Sequence, residues 1–243
     1  MFTTVISIGL LSLASSVPLA PRQVVPHYPP SSQSTGFKLV ANATDPTNDM
    51  AASVNGLVLQ GIHVGAGLND AALGSDTNNS RIFYQNGTAE ELRYNQGDIL
   101  SDGGTPIFPW GIQVANQNAS DPAALRGVTV DAGSGTVGVS LAHFPDPYVY
   151  LTALGAGKFV ACDEYVRYYN QNFTTVRYVT GVQDPATALY TYSIPENCVA
   201  INLIPECAAL PDLPEGSISS HEFAASAKCY ADVSAINWPE YGP

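Results

Sequence analysis

Positive charge is what this chain has least of. Nine Lys and Arg face 21 Asp and Glu across 243 residues, giving a formal net charge of −12. Such a surface repels nucleic-acid phosphates and anionic membranes, so neither is expected as a partner. Charge of either sign is scarce, at 12% of residues against about 25% in an average domain. The polar surface must therefore come from Ser, Thr, Asn and Gln, around the core that 45% hydrophobic residues can build. Long apolar runs are missing too. "VISIGLLSLA" at 5–14 is uninterrupted, but a bilayer-spanning helix needs about 20 such residues. Histidine occurs only at 27, 63, 143 and 221, and cysteine only at 162, 198, 207 and 229. With no Cys-x-x-Cys and no histidine at zinc spacing to the cysteines, neither a metal nor a cofactor is expected. A Gly-x-Ser-x-Gly elbow and the Gly-rich phosphate loops are likewise absent, so no catalytic residue is assigned from a motif.

What is present points to export. The 5–14 run and the small residues of "SSVPLA" have signal-peptide form, placing a leader over 1–20. "PRQVVPHYPPSSQST" (21–35) lacks periodicity and reads as a Pro/Ser-rich linker or pro-segment. Five glycosylation sequons follow, at Asn42, Asn78, Asn86, Asn118 and Asn172. In an exported chain, Cys162, Cys198, Cys207 and Cys229 are expected to form two disulfides. Three connectivities are open; Cys162–Cys198 with Cys207–Cys229 is favoured, closing the tail onto a preceding sheet. The expected location is extracellular or cell-wall.

From Phe37 the hydrophobic period is two. "FKLVANA", "GLVLQGIHV", "TTVRYVTGV", "LYTYSI" and "CVAINLI" read as strands rich in β-branched and aromatic residues. "RGVTVDAGSGTVGVSL" and "YVYLTALGAGKFVAC" read as hairpins turning at their glycines. Only "TAEELRY" and 219–235 look helical, the latter because Ser219 stands three residues before Glu222, a capping-box pattern. The predicted fold is all-β: one antiparallel β-sandwich or barrel of about nine or ten strands with a short C-terminal helix. The β-domain is placed at 36–209 and the tail with its helix at 210–243.

"GIHVGAGLND" (61–70) is the stretch that most resembles a site. No helix follows to supply amides for a phosphate. It is therefore predicted to be a strand ending in a bend that needs positive φ at Gly65 or Gly67. Asn69 and Asp70 are candidate ligand contacts at the sheet rim. Aromatics add Trp110, between Pro109 and Gly111, and the pair Tyr168–Tyr169 as exposed surfaces for sugar rings. Candidates for catalysis are thinner: Asp146 with His143 in a Pro-rich loop, and Asp163, whose neighbour Glu164 must face the other side of a strand. The chain is read as a non-catalytic secreted glycoprotein of the wall or extracellular surface, with cell-wall polysaccharide or a host surface as partner. A glycan- or small-ligand-binding β-module is the alternative, and a secreted hydrolase the third reading.

"GIHVGAGLNDAAL", "FPWGI", "FVACDEY" and "SIPENCVAINLIPEC" together resemble a family of secreted filamentous-fungal proteins sharing a domain of unknown function. Some of its members are described as antigenic or IgE-binding. The resemblance runs over roughly residues 36–209 and implies a fungal source, with no catalytic residue to carry over. More faintly, "F-x-A-C" followed by a late cysteine resembles fungal cell-wall proteins linked to conidiophore development.

Overall fold

The computed structural model describes residues 28–241 except 79, 118–119, 122–123, 143–147 and 154. Among these residues seventeen strands are present: β1 Ser32–Ser34, β2 Gly36–Ala43, β3 Val58–Gly65, β4 Leu68–Gly74, β5 Phe83–Asn86, β6 Asp98–Gly103, β7 Phe108–Val114, β8 Arg126–Ala132 and β9 Ser140–Leu141 come first. β10 Leu151–Thr152, β11 Gly157–Val166, β12 Gln171–Thr180, β13 Val182–Gln183, β14 Tyr190–Thr191, β15 Cys198–Ala208, β16 Ala224–Ala225 and β17 Ala227–Cys229 follow. One sheet runs β11-β15-β2-β3-β4-β12-β8-β7-β6-β5-β16, and the extra pairings β11–β12, β2–β5 and β4–β8 close it into a nine-strand antiparallel barrel. Closure removes the unpaired edges that make an open sheet prone to association.

Two strands act as splice points. β2 pairs with β15 from Gly36 to Ala43 along one side, and on the other with β5 at Phe37 and with β3 at Val40. β12 likewise pairs with β11 along its whole length, and opposite with β4 at Thr175 and with β8 at Arg177 and Tyr178. The alternation of Phe37, Leu39 and Ala41 sends these side chains into the barrel, where they meet Leu59, Ile112, Val130, Val176 and Leu203. A smaller cluster of Val160, Cys162, Val179 and Cys198, with Leu125 and Tyr192 against it, packs apart from this core. The Cys162–Cys198 bond lies there, joining directly opposed residues of β11 and β15. The second bond, Cys207–Cys229, ties β15 to β17, so both pairings are those favoured from the sequence.

Three local expectations are corrected. Residues 219–235 are extended rather than helical: β16 extends β5 and β17 pairs with β1. The capping-box pattern at Ser219 is overruled because the β5 edge, the β1 edge and Cys207 each find a partner in this segment, which a helix would withhold. Among the described residues, helical geometry is confined to α1, Ala89–Arg93, capped reciprocally by Thr88 and Glu91, and a 3-10 turn at Trp238–Glu240. The two glycine-turn hairpins do not form. After β8 the chain folds back over β7, with Gly133 donating to the Pro109 carbonyl at 2.8 Å and Thr136 to that of Ile112 at 2.9 Å, and β9 then pairs with β10. Ser32–Ser34, within the segment read as linker, is strand β1.

Candidate functional site

The 61–70 stretch is the end of β3, a tight turn and the start of β4, as its reading as strand plus bend expects. Of its two turn glycines only Gly67 has positive φ, at +71°; a side chain at Gly65 meets only the Leu68 side chain. Gly67→Val is therefore expected to cost about 1–3 kcal/mol, whereas His63→Gln should leave the thermal midpoint unchanged. A Gly67→Val midpoint equal to wild type would show the bend is not conformationally restricted. His63 is exposed just before a register shift between His63 and Gly65, and its ring meets Tyr168 edge-on at 5.4 Å.

Tyr168 belongs to the Arg167–Asn170 turn of the β11–β12 hairpin, with Asn170 in the left-handed region at φ 55°. Tyr168 and Tyr169 are 59% and 40% exposed and pack edge to face at 5.1 Å, and Tyr169 continues onto Phe173 at 5.2 Å. Between the two hairpins opens a cleft of about 470 Å³ whose lining includes Asp70, Glu164, Tyr165, Arg167, Tyr168 and Arg177. Glu164 is fixed there by Arg177 Nη2 at 2.6 Å and by the buried Thr175 hydroxyl, which donates at 2.7 Å. Asp70 contributes a second carboxylate. Exposed rings beside fixed carboxylates and guanidinium groups suit a hydroxyl-bearing ligand: the rings pack its C–H faces and the charged groups its hydroxyls.

The sequence candidates thus divide. Asp70 and Tyr168 come together at this cleft, with Tyr169 beside them. Asn69 does not join them, because it is buried: its Nδ2 donates to the Val130 carbonyl at 2.9 Å, and its amide donates to Asp131 at 2.8 Å. Trp110, expected on the surface, is only 9% exposed, since β7 is an inner strand between β6 and β8. Its ring stacks on Phe108 at 5.1 Å, and Arg81 lies 5.5 Å from its centroid. Asp163 and Glu164 do face opposite ways, Asp163 accepting from Asn172 Nδ2 at 3.0 Å. Asn78 and Asn172 are exposed, and Asn42 and Asn86 half-buried. Asn118, His27, His143 and Asp146 lie outside the described residues.

A second polar cluster carried no local signal. Asp102 Oδ2 lies 2.7 Å from His221 Nε2 across 119 residues of chain, and Tyr84 donates to Asp102 Oδ1 at 3.4 Å. Arg81 donates to Ser101 at 3.0 Å. Burial lowers the Arg81 pKa from its ordinary value, opposed by the Asp102 charge; burial, then Asp102, raises that of Tyr84. Arg81 and Asp102 face a cleft of about 380 Å³ with Asn78 and Asp212 at its sides. Among the described residues no group of three or more His, Cys, Asp or Glu is placed to hold a metal, and no helix is long and apolar enough to cross a membrane.

These features define a closed β-barrel with an aromatic-edged cleft between two hairpins. The chain belongs to the family described as Domain of unknown function (DUF7907), whose model matches residues 34–207. It is similar to "Antigenic protein SchS34" of Stachybotrys chartarum, 46% identical over 226 residues that cover 93% of this chain and 99% of that protein. No solved structure matches it.

Proposed function

We propose that this protein is a non-catalytic, exported fungal glycoprotein of the cell wall or outer surface, and that its hairpin cleft binds a neutral wall glycan. The observation that carries the reading is the exposed Tyr168 ring, set edge-on to His63 beside Asp70 and the Glu164–Arg177 pair. Export is supported by the two disulfides, the apolar 5–14 run and the sequons. A non-catalytic role is supported by the commitment of all four cysteines to disulfides, leaving no thiol nucleophile, and of Glu164 to its ion pair.

Retention on chitin, β-glucan and mannan beads tests the binding. The protein should be held by at least one of the three, and Tyr168→Ala should weaken retention about tenfold, equivalent to about 1.4 kcal/mol. Equal retention of both proteins would sink the cleft as the binding site. Incubation with polysaccharide, ester and peptide substrates at acid to neutral pH should give no turnover. Turnover lost in Asp102→Asn or Asp146→Asn, with circular dichroism unchanged, would overturn the non-catalytic reading.

A further inference from the structure

We propose that Asn172 carries an N-linked glycan whose first sugar packs on the ring of Tyr165, making the β11–β12 hairpin a built-in sugar platform. The inference rests on the exported reading above. Asn172 and Tyr165 are direct cross-strand partners. Their side chains therefore share a face, with Cβ atoms about 4.5–5.5 Å apart. Both are exposed, Tyr165 by 56%. The Tyr165 hydroxyl is tied to Asn170 Oδ1, which holds the ring at the hairpin end while its face stays open. Thr174, the hydroxyl residue of the sequon, lies opposite Asp163 on the same face. Tyr165 also lines the Glu164–Arg177 cleft, so the attached sugar lies at the rim of that cleft. Asn42 and Asn86 differ in being half-buried, with Asn86 Nδ2 donating to the buried Asp98 at 3.0 Å.

The chemistry adds one substituent. Asn172 Nδ2 attacks C1 of a polyprenyl-pyrophosphate-linked oligosaccharide on the secretory route; the C–N bond forms as the C1–O bond breaks. The pyrophosphate leaves with the electron pair of that bond, and one Nδ2 proton goes to base. The second Nδ2 hydrogen remains and can keep the bond to Asp163, which orients the sugar over the strand pair. The sugar's C–H face then covers the aromatic ring and removes apolar area from water.

A double-mutant cycle on protein secreted from a eukaryotic host decides it. Peptide mass spectrometry should find Asn172 occupied. The glycan should raise the thermal midpoint by about 2 °C relative to Asn172→Gln, and this gain should vanish in the Tyr165→Ala background but persist in Tyr165→Phe. Trimming to the single protein-linked sugar should preserve the gain, because that sugar makes the contact. An equal gain with and without the ring overturns the packing. Asn172 unoccupied while Asn42, Asn78 or Asn86 is occupied overturns this inference but leaves the exported reading standing. No sugar at any sequon defeats both. Should Tyr165→Ala fail to fold, the test passes to the sugar C–H proton resonances of the wild type: ring-current upfield shifts support the contact, and their absence overturns it.

Discussion

Gly111→Ala is expected to yield no folded protein. Gly111 sits inside β7, paired to Leu100 of β6 on one side and Asp131 of β8 on the other. Where its side chain would project, the returning segment Ser134–Gly135 already lies, and an added Cβ would fall closer than 3.0 Å to backbone atoms of both residues. That segment has little freedom to retreat. Gly135 donates to Asp98 Oδ2 at 2.7 Å, and the chain on either side is bonded to the Pro109 and Ile112 carbonyls. Overpacking against side chains costs about 1–3 kcal/mol, and against bonded backbone it should exceed that range. Yield of soluble protein and its circular dichroism read the outcome. A well-folded variant would mean that the 133–136 segment is not held over β7.

Breaking the Cys207–Cys229 bond should have the next largest effect. The two cysteines are 22 residues apart in sequence. Constraint of the unfolded chain by a loop of this size is worth about 3 kcal/mol, or roughly 6–12 °C in a domain of this length. The loss should also be local. β17 and β1 form their own two-stranded sheet, and β17 is joined to β15 through the disulfide, the bridge from Tyr230 to Glu206 and the bond from the Cys207 amide to the Tyr230 carbonyl at 2.8 Å. The Cys207→Ser/Cys229→Ser protein should therefore be cut by protease between 209 and 226 well before the barrel is. A midpoint and digestion pattern equal to wild type would reject the role given to this bond.

Strands with strong alternation were legible in the sequence, because a half-buried pleated surface writes period two directly into residue choice. β2, β3, β12 and β15 were found this way. Pairing was less legible. The glycine turn after Ala132 looks like a hairpin from its residues alone, yet its strand already has β7, β4 and β12 for neighbours. Residues 219–235 carry helix-like spacing that two waiting edges and a cysteine override. Half the hairpin cleft could be anticipated, since Tyr168 lies on a turn and Asp70 next to a bend. Its other half, Glu164 with Arg177, is created by strand register. The Asp102–His221 pair, made between distant segments, leaves no periodic trace at all.

The shared pairing of β2 also sets a clock. Thr44, just past the end of β2, donates to the Ala200 carbonyl across 156 residues of sequence. The barrel therefore cannot close until nearly the whole polypeptide has been synthesised. At about 5–20 residues per second that interval lasts roughly 8–30 s. Throughout it Asn42 on β2 lacks the strand that later flanks it, so its half-burial belongs to the closed barrel alone. The same delay leaves the Val- and Ile-rich strands without their partners for that time, open to pairing with one another or with a second chain.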